Sequence, residues 1–246
     1  MNLLNIIDEH VFSDDLNTIN LNRKTIINTI NPHSYCVSKS DSFFQKALLK
    51  SDILLPDGSG IVLAAKFLRK KSIKKIAGAD IHKHLLEDAN KQSKKVFYLG
   101  AAPKTLLLIK ERINKEYPNI KMSSYSPPYK PKFSEADSKK MISEVNNFSP
   151  DVLFVGMTAP KQEKWVTLNK ENLDATITVS IGAVFDFYAG TVERSSPFWI
   201  NIGLEWLPRL LKEPKRLWRR NFVSTPLFLW YLLKAKYVNN SQKSII

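Results

Sequence analysis

Short apolar runs alternate along the chain with longer stretches in which apolar residues recur every third or fourth position. Asp52-Ile53-Leu54-Leu55 reads as a buried strand, followed by a turn over Pro56-Asp57-Gly58-Ser59-Gly60 and a helix from Ile61 to Arg69. Lys95–Leu99 is a second strand, closed by Gly100, with Pro103 placed to open a helix through Arg112. Asp151–Val155 is a third, closed by Gly156, and Pro160 suits the first turn of the helix that follows. Thr176–Ile181, closed by Gly182, is a fourth. Runs this short, alternating with helical segments, predict an α/β domain: a Rossmann-like, mainly parallel sheet flanked by helices. Ser123–Ser134, with its clustered prolines, reads as a surface loop. No internal repeat or low-complexity block interrupts the pattern.

Helical spacing resumes at Leu204, with Leu207, Leu210 and Leu211 on the same side and Glu205 and Arg209 in a favourable i,i+4 order. Pro214 is expected to break or kink this helix. Beyond it come Lys215, Arg216, Arg219 and Arg220, then an apolar and aromatic stretch over 221–233 that contains Pro226. The expected organisation is a core over 1–195 and a C-terminal basic helical appendage over 196–246.

Charge sharpens that division. The chain has 246 residues, a length suited to one sizeable domain, and a formal net charge of +14 from 37 Lys+Arg and 23 Asp+Glu. From Glu193 to Ile246 ten basic residues face three acidic ones, 10 − 3 = +7, so half the excess and four of the five tryptophans sit in the tail. The apolar fraction of 43% excludes a disordered chain. A lone cysteine, Cys36, excludes an internal disulfide or zinc cluster and fits a reducing compartment. The acidic stretch up to Asp15 is unlike a secretory leader, and no run approaches the ~20 apolar residues of a membrane span. A basic, Trp-rich tail too short to cross a bilayer suits the headgroup region of an anionic membrane, with Trp218, Arg219, Arg220 and Trp230 as expected contacts. The other reading of the tail is a solvated charge run on a helix packed against the core. The expected location is cytoplasmic, peripheral to the inner face of the plasma membrane. No helix-turn-helix, RRM or KH pattern supports a nucleic-acid partner, although a non-catalytic membrane-surface or nucleic-acid-binding role for the tail is the alternative to an enzyme. A homo-oligomer is compatible with the sequence.

Ligands of parallel α/β sheets bind beyond the carboxyl ends of the strands, where glycines and helix N-termini offer free N–H groups to phosphate. Gly58, Gly60, Gly100 and Gly156 occupy such positions, where they also serve tight strand-to-helix turns. A GxxxxGK[ST] loop is absent, and Gly58-Ser59-Gly60 is followed by Leu63 where a dinucleotide fingerprint has its third small residue. No Asp-x-Asp pair offers to hold a cation on a diphosphate, which leaves backbone N–H groups and cationic side chains to stabilise a leaving charge.

Five segments carry a resemblance. They are Leu55-Pro56-Asp57-Gly58-Ser59-Gly60-Ile61-Val62, Phe97-Tyr98-Leu99-Gly100, the stretch from Val155-Gly156 through Pro160-Lys161-Gln162-Glu163 to Trp165, Gly182-Ala183-Val184-Phe185-Asp186-Phe187-Tyr188-Ala189-Gly190, and Gly203-Leu204-Glu205-Trp206 through Arg209 and Glu213-Pro214 to Arg216. In that order, over roughly residues 25 to 221, they resemble the WecG/TagA/CpsF family of bacterial glycosyltransferases. The resemblance implies inverting, metal-independent transfer, without a cofactor, from a UDP-sugar (UDP-ManNAc or a related hexosamine). The implied acceptor is a polyprenyl-pyrophosphate-linked saccharide, and the implied product feeds teichoic acid, capsule or exopolysaccharide synthesis. The resemblance makes Asp57 the catalytic base; by local sequence alone Asp57 reads first as a turn or cap aspartate. Thr29 and Asn31 match the family's Thr-x-Asn and would contact donor or acceptor, unless they form a polar turn before Pro32. Gly78 and Asp80 match its Gly-x-Asp, where Asp80 caps a helix as readily as it binds a sugar. Lys161 and Gln162 are further binding candidates, Gln162 for a sugar or uracil group, while Glu163 reads as complementing a helix dipole. Asp186 is a site candidate, and Arg209 and Arg216 are expected to reach the pyrophosphate. Two positions depart from the family: Lys75 stands where relatives carry an arginine that can fork onto phosphate, and Thr158-Ala159 replaces Gly-Ser.

Overall fold

The computed structural model describes residues 2–193, 196, 198–199, 206–212 and 214–243, and of residues 209, 212, 215, 216 and 238–243 the backbone alone. Its strands are β1 (Thr25–Ile30), β2 (Ile53–Pro56), β3 (Lys95–Gly100), β4 (Lys121–Tyr125), β5 (Val152–Gly156) and β6 (Ile177–Ser180). They form one wholly parallel sheet in the order β2-β1-β6-β5-β3-β4. Around it lie α1 (Leu3–Glu9), α2 (Pro32–Ser40), α3 (Ser42–Leu49), α4 (Ser59–Arg69), α5 (Gly78–Lys91), α6 (Pro103–Glu116), α7 (Glu135–Phe148), α8 (Lys161–Asn169) and α9 (Val184–Ala189). The tail contributes α10 (Trp206–Lys212), α11 (Pro214–Trp218), a π-helical turn (Arg219–Ser224) and α12 (Thr225–Lys243). This is the α/β architecture expected from the alternation of short and long periods.

Two strands go beyond the expected four. β1 is an interior strand, and its apolar run is interrupted by Asn28, which is fully buried and donates from Nδ2 to Ser51 Oγ at 2.9 Å. β4 is an edge strand, so the loop expected from Ser123 begins instead after Tyr125. Its register with β3, Phe97↔Ser123 to Leu99↔Tyr125, pairs backbone groups without needing apolar side chains. Two helix ends also differ. α4 starts at Ser59 rather than Ile61, because Gly58 at φ 95° turns the chain straight out of the strand. α6 runs one turn past Arg112, where Arg112 Nε donates to Glu116 Oε1 at 2.7 Å.

Each face of the sheet is buried. On one, Ile81 and Leu85 of α5, Ile109 of α6 and Phe185 of α9 pack on Ile27, Tyr98, Phe154 and Val179. On the other, α7 and α8 cover β3, β5 and part of β1, while α2, α3 and α4 cover β1 and β2. Beside β2, Val11 bridges Leu54 and Phe12 N–H donates to the Leu54 carbonyl at 2.9 Å, which occupies an edge that would otherwise invite another strand.

Pro214 opens α11 as its first residue, a position where a missing N–H costs nothing. Glu205, and with it the expected Glu205–Arg209 pair, lies outside the described residues. Pro226 is the second residue of α12; lacking an N–H, it disfavours a regular turn before it, and the π-turn takes that place with Thr225 Oγ1 donating to the Arg220 carbonyl at 3.4 Å. Phe228, Leu232 and Ala235 of α12 are buried in one cluster with α1, α2 and α4. The opposite side of α12 exposes Leu229, Trp230, Leu233 and Tyr237. Among the described residues no helix is long and apolar enough to cross a membrane.

Candidate active site

All the candidate residues of the core lie along the carboxyl rim of the sheet or on the loops and helix starts that leave it. At one end of that rim, Asp57 follows β2, half-buried, with its N–H donating to the Ile30 carbonyl at 2.9 Å. Thr29 stands beside Leu55 in the β1–β2 register. Asn31 caps α2: its Oδ1 accepts from Ser34 N–H at 3.0 Å, and Ser34 Oγ accepts from Asn31 N–H at 2.8 Å. A Cβ on Gly58 would come within 3.9 Å of both Asn31 Cβ and Pro32 Cδ, and one on Gly60 within 2.4 Å of the Pro32 ring. The first turns of α2 and α4 therefore abut at the Asp57 corner. Lys75, half-buried, precedes Ile76, whose N–H donates to the Pro56 carbonyl at 3.0 Å, so it lies at the same corner. Gly78 opens α5 against Ile181 and Val184, and Asp80 accepts from Ala77 N–H at 2.8 Å as a helix cap.

The other end of the rim is a topological switch point. The chain leaves β3 through α6 on one face of the sheet and leaves neighbouring β5 through α8 on the other, which opens a crevice between the two strand ends. Gly100 and Gly156 terminate these strands in register. Gly100 has φ +128°, and a Cβ there would lie 2.3 Å from the Gly156 carbonyl oxygen. One on Gly156 would strike the Phe185 ring at 2.5 Å. Bare backbone is thus a packing requirement at both positions, which lie beside the N-terminus of α6. From β2 to β5 is three strand steps, roughly 15 Å along the rim.

The Lys161-Gln162-Glu163 segment is turned inward. Lys161 Nζ donates to the Lys130 carbonyl at 2.9 Å and lies 4.6 Å from the Phe133 ring centroid, fastening the loop after β4 beside the crevice. Gln162 is 3% exposed; its Oε1 accepts from Met157 N–H at 3.0 Å and its Nε2 donates to Glu163 Oε1 at 2.8 Å. Its amide thereby holds the backbone between Gly156 and α8. Glu163, read from sequence as a dipole-complementing residue, is likewise 3% exposed, and burial pushes its carboxyl up to about 7. Glu163 Oε2, Ser180 Oγ and Asn28 Oδ1 are buried without a hydrogen-bond partner among the described residues.

Asp186 lies half-buried in the first turn of α9, and its carbonyl accepts from Thr191 N–H at 3.1 Å. Arg209 and Arg216 belong to α10 and α11, but their side chains lie outside the described residues. Trp218, Arg219 and Trp230 are exposed. Arg220 is half-buried with its cation beside His33, where that charge adds to burial in lowering the affinity of the imidazole for a proton. His33 was not among the sequence candidates; its place one residue past Asn31-Pro32 was the available signal.

The sequence profile described as "Glycosyl transferase WecG/TagA/CpsF family" matches residues 4–242. The chain belongs to the WecG/TagA/CpsF family. As a glycosyltransferase, it is similar to proteins named N-acetylglucosaminyldiphosphoundecaprenol N-acetyl-beta-D-mannosaminyltransferase. That of Bacillus spizizenii is 31% identical over 95% of this chain and 90% of its own length. That of Bacillus subtilis is 31% identical over 86% and 80%, and that of Staphylococcus aureus strain MW2 is 25% identical over 91% and 86%. The rim of this family member carries a half-buried carboxylate, Asp57, at one end and the Gly100–Gly156 switch point at the other.

Proposed function

We propose that the protein is an inverting glycosyltransferase that moves a hexosamine of the ManNAc type from UDP to a polyprenyl-pyrophosphate-linked GlcNAc-type acceptor, in the synthesis of a cell-surface polymer. The observation that carries this reading is the placement of Asp57, half-buried on the same rim as the Gly100–Gly156 crevice. The acceptor hydroxyl attacks the anomeric carbon of the donor as the bond from that carbon to the phosphate oxygen breaks. UDP departs with the bonding electrons, and the hydroxyl proton passes to the Asp57 carboxylate. Thr29, Asn31 and Lys75 border that corner and orient the reacting sugars. Gly100, Gly156 and the start of α6 receive the nucleoside end of the donor, whose diphosphate extends along the rim towards Asp57, where tail cations balance its charge. Transfer proceeds without a metal ion in this reading, with backbone N–H groups and cationic side chains meeting the leaving charge. The purified chain, given UDP-ManNAc and an undecaprenyl-diphosphate-GlcNAc analogue, should yield a product heavier by one N-acetylhexosamine residue, at an unchanged rate in EDTA. Hydrolysis of the donor without the acceptor, and no heavier product, would reject the assignment.

The lipid on such an acceptor gives the tail a task. The exposed side of α12 carries Trp230 and Leu233 at 53% and 62% exposure. Lys234 lies over the Trp230 ring at 5.1 Å, and Leu63 and Phe67 of α4 are exposed as well. Aromatic, aliphatic and cationic groups on one side suit the headgroup zone of an anionic bilayer at about 1 kcal/mol per basic residue. The protein should sediment with phosphatidylglycerol vesicles and much less with phosphatidylcholine ones. Joint replacement of Trp230 and Leu233 by glutamate should cut that binding at least about tenfold; unchanged sedimentation would place the docking surface elsewhere.

A further inference from the structure

Two side chains of α2 close on a single residue of the tail. His33 Nδ1 and Ser224 Oγ share a hydrogen bond of 2.8 Å, the hydroxyl donating when Nδ1 is bare, and Cys36 Sγ donates to the Ser224 carbonyl at 3.3 Å. His33 and Cys36 are one helical turn apart on the same side of α2. Ser224 is 7% exposed and ends the π-turn. Around this clasp the contacts are apolar: Tyr35 meets the rings of Phe228 and Tyr231 edge-on at 5.7 and 5.6 Å, and Phe228 approaches the Gly60–Pro32 contact. Apolar packing holds α12 on the core but tolerates rotation about its axis, whereas hydrogen bonds fix an angle. That angle matters because a π-turn holds one residue more than an α-turn. Relaxing it would swing everything on its N-terminal side, Arg219, Arg220 and α11 included, by about 100°.

Resting on the function proposed above, we infer that His33 is a positioning residue. Through Ser224 it locks the π-turn and so sets the direction in which Arg219, Arg220 and the helix before them face the Asp57 corner. Arg220 is half-buried beside the ring, and its charge favours the neutral imidazole that can accept the Ser224 proton. The role is distinct from substrate contact: His33 acts on the transition state only through the tail it orients.

The test compares full-length wild type with His33→Ala, Ser224→Ala, their double variant and His33→Asn, whose short amide can replace Nδ1. With the UDP-sugar and lipid-linked acceptor, His33→Ala and Ser224→Ala should each lower kcat about 10- to 100-fold while leaving the donor KM within about twofold. The double variant should be no worse than either single one, and His33→Asn should recover most of the rate. Additive losses, a His33→Asn enzyme as poor as His33→Ala, or a His33→Ala enzyme within twofold of wild type would each overturn the inference. If wild type transfers no sugar, the functional reading fails and the lock is read by amide hydrogen exchange instead. His33→Ala must then speed exchange over residues 219–225 without altering β1, and unchanged protection there overturns the lock itself.

Discussion

Asp57→Asn is expected to lower kcat by about 10²–10⁴-fold while leaving the fold and the donor affinity intact. The carboxylate follows a strand whose register is fixed by Ile30↔Pro56 and by the Asp57 N–H bond to Ile30, and asparagine preserves both. What asparagine lacks is basicity, so the acceptor hydroxyl must lose its proton to water late in the reaction. Steady-state transfer to the lipid-linked acceptor, with donor affinity followed by a thermal shift on adding UDP, separates the two effects. An Asp57→Asn enzyme with wild-type kcat would remove the residue from proton transfer.

Glu163→Gln should change the pH dependence of stability. Burial raises this carboxyl from 4.5 to about 7 in the folded chain. Between those values the unfolded chain has released the proton and the folded chain keeps it, so stability falls as pH rises. At about 1.4 kcal/mol per unit, the wild type forfeits up to about 3 kcal/mol across that window. Glutamine keeps an oxygen to accept from Gln162 Nε2 and carries no titrating proton, so the Tm of the variant should gain on wild type from about pH 5 to pH 7 and level off above it. Parallel pH profiles for the two proteins would mean that Glu163 ionises freely.

The contrast between these two residues shows how much was legible in the sequence. The strands that end in glycine stood out because an apolar run followed by Gly100 or Gly156 can hardly be anything else, and they fixed both the fold class and the rim. Asp57 was legible as a site candidate only when its strand-end position was joined to the family resemblance, since its local sequence fits a turn or cap aspartate. β1 was not, because Asn28 breaks its apolar run, and only the tertiary bond to Ser51 repays that burial. Nor were the inward turn of Gln162 and Glu163 or the His33–Ser224 bond, which joins positions 191 residues apart. A polar residue's direction is set by partners that local pattern does not encode. The tail fell between: its aromatic and basic composition was plain, whereas the division of α12 into a buried side through Phe228 and Leu232 and an exposed side through Trp230 and Leu233 depends on where α1, α2 and α4 lie.

The strand order carries a consequence for how the molecule comes into being. β6 lies between β1 and β5, pairing Ile27 with Val179 on one side and Leu153 with Thr178 on the other. During synthesis, β2-β1 and β5-β3-β4 can form only as separate, open-edged pieces until Ile177–Ser180 has emerged, a long-range closure that is slow and exposes unpaired edges in the meantime. The rim from Asp57 to Gly156 crosses that junction. A nascent chain halted before β6 would own both halves of the site and have no catalytic centre.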